Sequence, residues 1–181
     1  KIKRKMIENL EEKTKMAKII DGENLWHRMG DVGYLDENNS LWFCGRKDHR
    51  VTLNEKEVLF TIPCEAIFNQ HPKVNRTALI LSKNKQGLPE AVIVIELAKE
   101  YWNGRNETLA HEILQLGQKF EHTKKIKKAA FYQNFPVDVR HNAKIDRELL
   151  SSWAQAQEKM DENASKRNFK NMPSLFFELK S

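Results

Sequence analysis

The sequence is poor in the residue types that define several specialised protein classes. It contains 2 cysteines, 7 glycines and 5 prolines among 181 residues. Cys44 and Cys64 are too few for a disulfide framework and lack the CxxC spacing of a metal site. The glycine and proline counts exclude collagen-like and proline-rich disordered chains. Two isolated thiols fit a reducing compartment, and we expect the protein to be cytoplasmic.

Long hydrophobic runs are also missing. The longest apolar run, Ala91-Val-Ile-Val-Ile95, is much shorter than the ~20 residues of a membrane-spanning helix. No transmembrane segment is therefore predicted. The basic stretch at the start lacks the apolar core of a signal peptide. The first residue is Lys1, so we expect a processed or partial chain.

Positive charge is in excess. The chain has 31 Lys and Arg against 25 Asp and Glu, a net charge of +6. Such a charge favours anionic partners, including nucleotides, nucleic acids and acidic membrane surfaces. Lysines crowd residues 1–5 and 119–128, but aromatic residues do not alternate with them as on a single-strand-binding surface. We favour a solvated surface for these lysines and expect no nucleic-acid partner. A basic module that binds nucleic acid or a membrane is kept as the alternative function.

Hydrophobic patterning predicts an α+β fold. Two apolar runs around a polar turn predict a β-hairpin over residues 33–45, and a second, short hairpin is predicted over residues 51–61. Strands are predicted at 77–81, 91–97 and 126–132, and helices at 63–68, 107–120 and 146–157. These elements indicate a small domain with a short mixed or antiparallel sheet flanked by helices.

The same patterning predicts which side chains are buried. Ile145, Leu149 and Trp153 are four residues apart and are expected to form the buried face of the last helix. Aromatic residues of the hairpin region are expected to form its core; they are Trp26, Tyr34, Trp42 and Phe43.

Three domain segments are predicted. Residues 1–47 contain a hairpin but no core of their own, as expected for the end of a larger N-terminal domain. Residues 48–153 form the small α+β domain. Residues 154–181 form a charged C-terminal extension.

Three polar motifs contain candidate functional residues. Asp31 lies between glycines and could accept hydrogen bonds from two ribose hydroxyls, or could cap its own turn. Arg46 follows Gly45 at a strand end and could bind phosphate or sugar oxygens. Asp48 lies between the two predicted hairpins and could act as a pivot. The alternative for both residues is a cluster of surface charges in a connecting loop. Lys144 could stabilise charge between a carboxylate and an α-phosphate, or could be a solvated lysine. The helix dipole disfavours a cation at this helix start, which favours function.

In their order these motifs resemble the adenylate-forming superfamily, which includes acyl-CoA synthetases, peptide-synthetase adenylation domains and luciferases. The resemblance rests on the run GDVGYLDENNSLWFCGRKDHRV and on PVDVRHNAKIDREL further along the chain. It covers residues 17–153. It implies the end of a large AMP-binding domain followed by a complete small lid domain, and therefore an N-terminal domain that this sequence does not contain.

The resemblance implies a role for each motif residue. Asp31 matches the aspartate that binds the ATP ribose hydroxyls, and Arg46 matches a nucleotide-contacting arginine. Asp48 matches the hinge about which the lid rotates. Lys144 matches the catalytic lysine that contacts the carboxylate and the α-phosphate. The implied cofactors are ATP and Mg²⁺, and no metal ligand is expected in this chain.

The strings HRMGD, CE-x-IFN-x-H and FPVDVRHNAKI resemble the β-lactone synthetases of bacterial olefin biosynthesis. Thr52 and Glu55 stand where the superfamily often has Lys and Gly, and Asn142-Ala143 replaces Ser-Gly. The resemblance implies a ligase that converts a carboxylic acid substrate, a long-chain β-hydroxy fatty acid, to its acyl-AMP and then to a β-lactone. This chain alone is expected to be inactive. A fatty acid–CoA ligase and a fatty-acyl-AMP ligase are the alternatives.

Overall fold

The computed structural model describes residues 17–84, 86–104, 106–138, 144–166 and 176–179. It divides the chain into two compact units, and the boundary lies between Asp48 and His49. We refer to the part through Asp48 as the first unit and to the part from His49 as the second unit. Expectations for residues 1–16 and 139–143 lie outside the described residues.

The first unit contains two antiparallel hairpins. β1 (Lys18–Asp21) pairs with β2 (Asn24–His27), and β3 (Asp31–Leu35) pairs with β4 (Leu41–Arg46). The second of these is the hairpin that the sequence predicts. The first was not predicted, because its strands are short and polar residues interrupt their apolar ones.

The aromatic side chains of these hairpins are not buried, which corrects the sequence-based prediction. Trp26, Trp42 and Phe43 are 59%, 54% and 52% exposed. Tyr34 stacks against Trp42 with ring centroids 6.4 Å apart, but it is also exposed. A two-stranded hairpin has no second layer of its own to cover such residues.

The second unit contains three helices and six strands among the described residues. A short hairpin is followed by a helix, and a sheet with two further helices completes the unit. In chain order the elements are β5 (Val51–Asn54), β6 (Glu57–Leu59), α1 (Thr61–Phe68), β7 (Val74–Lys83), β8 (Pro89–Leu97), α2 (Glu107–Gln118), β9 (Lys128–Phe131), α3 (Arg147–Lys166) and β10 (Phe176–Glu178).

Four of these strands form a mixed sheet in the order β10-β9-β8-β7. β8 runs parallel to β9, and the other two pairings are antiparallel. The predicted fold class, a small mixed sheet flanked by helices, is therefore confirmed. The sequence gives no signal for β10, which extends the sheet at its β9 edge.

The central strand β8 is buried on both faces, as its continuous apolar run predicts. Ile93 and Ile95 belong to a core that includes residues of α1 and α2. Val92 and Val94 belong to a second core that includes residues of α3. The sheet thus lies between α1 and α2 on one face and α3 on the other.

The buried face of α3 agrees with the predicted one except at Leu149. Leu150 and Ala154 are fully buried, whereas Leu149 is 46% exposed. Ile145 and Trp153, the other two predicted residues, are partly buried and pack against the same core, so the prediction was wrong only for Leu149. The helix also continues to Lys166, because the Lys and Glu residues beyond the predicted end are good helix formers.

Candidate functional site

Asp31 and Arg46, the two residues predicted to bind nucleotide, lie next to each other in the first unit. They are paired directly across β3 and β4. Arg46 Nη1 donates to Asp31 Oδ1 over 3.0 Å, and both side chains are more than two-fifths exposed. The hairpin therefore presents a carboxylate and a guanidinium side by side to solvent, which can serve as an acceptor and a donor for a sugar or a phosphate.

Glycines beside this pair are required by the local geometry. Gly30 has a φ of +76°, and an added Cβ would lie 3.4 Å from Arg46 Nη2. At Gly33 an added Cβ would lie only 2.6 Å from the carbonyl oxygen of Trp42. The Gly-Asp-Val-Gly motif thus allows the backbone and the arginine to approach as closely as they do.

Asp36 organises the loop at the other end of the same hairpin. Its Oδ1 accepts hydrogen bonds from the backbone N–H groups of Asn38 and Ser40, each over 2.9 Å. Its Oδ2 accepts from Trp42 Nε1 over 2.8 Å. These hydrogen bonds, the indole bond first, lower the pKa of Asp36 and favour its charged form. This residue closes the hairpin and was not singled out in the sequence.

Asp48, the predicted hinge, is the last residue of the first unit. It is exposed and lies in a short 3-10 helix, Lys47–His49. The preceding residue is tied to the first unit, because Lys47 N–H donates to Gly30 C=O over 2.8 Å. Its role as a pivot stays a prediction.

Lys144, the predicted catalytic residue, lies in the second unit, and its side chain is exposed. Its backbone is held in place: the Lys144 C=O accepts from Asp138 N–H over 2.9 Å. Val137 and Ile145 form an antiparallel bridge on the same stem. An exposed amine on a fixed backbone can present a point charge to a partner outside the unit.

An ion pair lies directly after this lysine. Arg147 Nη1 and Nη2 donate to Glu65 Oε1 and Oε2 over 2.6 and 3.1 Å. Burial raises the pKa of Glu65, and the Arg147 charge opposes that shift. Sequence reasoning missed this pair. A signal was available, since Glu65 is a single carboxylate on the buried face of α1 with Thr61 and Phe68.

The basic cluster at residues 119–128 contains several paired lysines. Lys124 contacts Glu121, and Lys125 contacts Glu57. Lys128 lies between Glu90 and Glu158. Most of this cluster is therefore neutralised within the second unit, which weakens the hypothesis of a nucleic-acid- or membrane-binding module.

The thiol of Cys64 is a poor nucleophile. Cys64 is buried, and burial raises the pKa of its thiol to about 12. Cys44 is half-buried, and neither cysteine is in a disulfide. Among the residues that the structure describes, no group of three His, Cys, Asp or Glu side chains is arranged to bind a metal ion. No described helix combines the length and the apolar character that crossing a bilayer would need.

The fold of the chain matches solved structures of adenylate-forming enzymes. It superposes with a TM-score of 0.65 on the anthranilate CoA ligase AuaEII in complex with anthranoyl-AMP, at 22% identity. The match covers 76% of this chain and 26% of that ligase. The architecture is therefore that of the C-terminal part of adenylate-forming ligases.

Sequence comparison finds relatives with one particular activity in their names. The chain is 42% identical over 154 residues to the olefin β-lactone synthetase of Xanthomonas campestris, covering 82% of this chain. It is 39% identical over 133 residues to the olefin β-lactone synthetase of Stenotrophomonas maltophilia. The chain spans 27% and 23% of the length of these two relatives. No family model matches the chain. The chain is therefore similar in sequence to olefin β-lactone synthetases and similar in fold to the C-terminal part of adenylate-forming ligases.

Proposed function

We propose that this chain is the C-terminal part of an ATP-dependent ligase that activates a long-chain β-hydroxy fatty acid and closes it to a β-lactone. The observation that carries the proposal is the 42% identity to an olefin β-lactone synthetase over most of the chain. The residues described here would then work together with a large N-terminal domain of the same enzyme. A cytoplasmic location stays a prediction.

In the first proposed step, a carboxylate oxygen of the acid attacks the α-phosphorus of ATP. The bond from that phosphorus to the pyrophosphate oxygen breaks, giving acyl-AMP and pyrophosphate. Asp31 would accept hydrogen bonds from the ribose hydroxyls, and Arg46 would donate to the nucleotide. Lys144 would place its ammonium where negative charge develops. Mg²⁺ would screen the phosphate charges when bound, and we expect its ligands outside this chain.

In the second proposed step, the β-hydroxyl oxygen of the same acid attacks the acyl carbon. The bond between that carbon and the AMP oxygen breaks, the hydroxyl proton is lost to a base or solvent, and a four-membered lactone and AMP are released. Rotation of the second unit about Asp48 would withdraw Lys144 between the steps. The unit boundary at Asp48 and the exposure of this residue support that assignment.

In the superfamily that the chain resembles, the β5–β6 region usually lines the channel of the acceptor in the second step, and its sequence here supports an internal acceptor. Glu55 lies in the turn between β5 and β6, where the superfamily often has glycine, and its side chain is exposed. Thr52 lies on β5 in place of a lysine. A carboxylate here disfavours the phosphate groups of coenzyme A.

The experiment that tests this proposal supplies the full-length protein with a long-chain β-hydroxy fatty acid and ATP, without coenzyme A. We expect a β-lactone by mass spectrometry, with AMP and pyrophosphate released in equal amounts. The matched control is the unsubstituted acid of equal length, which has no hydroxyl to attack and can yield only acyl-AMP. A thioester formed only when coenzyme A is added would instead identify a fatty acid–CoA ligase. Acyl-AMP accumulating from both acids would identify a fatty-acyl-AMP ligase.

A further inference from the structure

The Glu65–Arg147 pair lies at the free edge of the four-stranded sheet. Among the described residues β7 is the outermost strand of that sheet, so the outward backbone groups of Leu79 have no strand partner there. Leu79 N–H donates to Glu65 Oε1 over 2.7 Å, and Leu79 C=O accepts from Arg147 Nη1 over 3.3 Å. Glu65 is on α1 and Arg147 is on α3, so the pair joins helices from opposite faces of the sheet around its edge.

The same pair lies at the start of the helix that follows Lys144. Arg147 is the first residue of α3, three residues after the lysine. Between them, Asp146 N–H donates to Pro136 C=O over 2.9 Å, and Asp146 Oδ1 accepts from Leu149 N–H over 3.0 Å. The backbone that leaves Lys144 is therefore fixed first by the stem, then by a helix cap, and then by the ion pair.

Stability alone is a weak reason for this pair. The side chains of Glu65 and Arg147 are 9% and 13% exposed, so both charges are largely removed from water. Replacing a buried ion pair with packed apolar residues is often neutral or stabilising, because desolvation offsets the attraction. A two-point guanidinium–carboxylate contact does, however, fix both distance and orientation. The pair therefore contributes mainly by fixing the distance and orientation between α1 and the start of α3.

We propose that Glu65 and Arg147 are positioning residues that set the location and direction of Lys144 for the adenylation step. This inference rests on the proposed function of Lys144. Neither residue would touch substrate. A lysine side chain is long and flexible, so the reach of its amine depends on where its backbone is held. A displacement of about 1 Å at a reacting group can lower a rate about a hundredfold.

The test measures pyrophosphate release by the full-length protein with ATP and a long-chain β-hydroxy fatty acid. For Glu65→Gln and for Arg147→Lys, we expect kcat to fall roughly 10- to 100-fold. The KM for ATP should stay within about twofold, because the residues expected to bind the nucleotide lie in the first unit and uniform binding is unchanged. Arg147→Lys keeps the positive charge but loses the two-point contact, so it decides the question if Glu65→Gln does not fold.

Glu158→Gln is the matched control. Glu158 is also on α3 and pairs with Lys128 of the sheet, about three helical turns away from Arg147. Its loss removes an ion pair between α3 and the sheet without disturbing the stem of Lys144. We expect its kcat to stay close to that of the wild type. Thermal unfolding of each variant gives the folded fraction by which rates are corrected.

A double variant separates this inference from the proposed function. If Glu65 acts through Lys144, Glu65→Gln should add no further loss to a Lys144→Ala protein. Full activity of Lys144→Ala alone would contradict the proposed role of the lysine. If Lys144→Ala is impaired but Glu65→Gln and Arg147→Lys match Glu158→Gln, the positioning role is wrong. Additive losses in the double variant would also overturn it.

Discussion

At the residue scale, the ion pair between Asp31 and Arg46 stands out because both side chains are exposed to solvent. Both side chains are more than two-fifths exposed, and their contact is a single hydrogen bond of 3.0 Å. Exposed pairs of this kind contribute about 0–1 kcal/mol to stability. Stability therefore explains little of this pair, and nucleotide binding stays our proposal for it.

Asp31→Ala tests that explanation. We expect the KM for ATP of the full-length protein to rise about tenfold or more, because a charged hydrogen-bond acceptor for the ribose is lost. The midpoint of thermal unfolding should change little. Asp21→Ala, at an exposed position at the end of β1, is the control and should change neither quantity. An unchanged KM for ATP in Asp31→Ala would contradict the nucleotide role.

Some residue contacts are within reach of a sequence-based prediction and others are not, for a physical reason. Asp31 and Arg46 flank one hairpin, so a correct hairpin prediction already places them at the same end. Glu65 and Arg147 are 82 positions apart and meet only through the packing of two helices around a sheet edge. No local pattern contains that information.

At the element scale, β10 is one of the elements that the sequence did not predict, together with the β1–β2 hairpin. Phe177 lies edge-on against Phe131 with centroids 5.6 Å apart, and Phe176 stacks on Trp153 at 6.0 Å. Leu179 N–H donates to Lys127 C=O over 2.9 Å. Three residues are too few to show an alternating pattern, so the sequence predicted a charged extension here but no strand.

Phe177→Ala tests whether β10 stabilises the second unit. We expect the free energy of unfolding to fall by about 1–3 kcal/mol, somewhat less than for a fully buried phenylalanine because Phe177 is half-buried. The measurement is urea unfolding followed by circular dichroism. Phe120→Ala, at a residue 40% exposed, is the control and should cost less. An equal or smaller loss for Phe177→Ala would show that β10 adds little.

Helices and strands with strong periodicity were predicted correctly, and the errors occur where periodicity is weak. β8 has an uninterrupted apolar run, so its burial on both faces followed directly. In α3 the apolar residues Leu149 and Leu150 are adjacent, and either could begin the buried face. Contact with the sheet selects Leu150, and a sequence pattern alone does not.

At the scale of the whole molecule, the two units differ in whether each has a hydrophobic core of its own. The second unit has a core on each face of its sheet. The first unit consists of two hairpins with exposed aromatic side chains, as expected if those hairpins complete a larger domain. Motif order predicts the end of a larger domain followed by a small domain, and this domain assignment stays a prediction.

At the same scale, we propose that Lys144 of the second unit stabilises the charge that develops during adenylation, and the Lys144→Ala variant tests this role. The measurement is pyrophosphate release by the full-length protein at saturating ATP and β-hydroxy acid, with Lys119→Ala, at an exposed lysine after α2, as the control. We predict a loss of about a hundredfold or more in kcat for Lys144→Ala and none for Lys119→Ala, since removing one preorganised donor at such a site has effects of this size. Release at the wild-type rate by a correctly folded Lys144→Ala protein would contradict the claim.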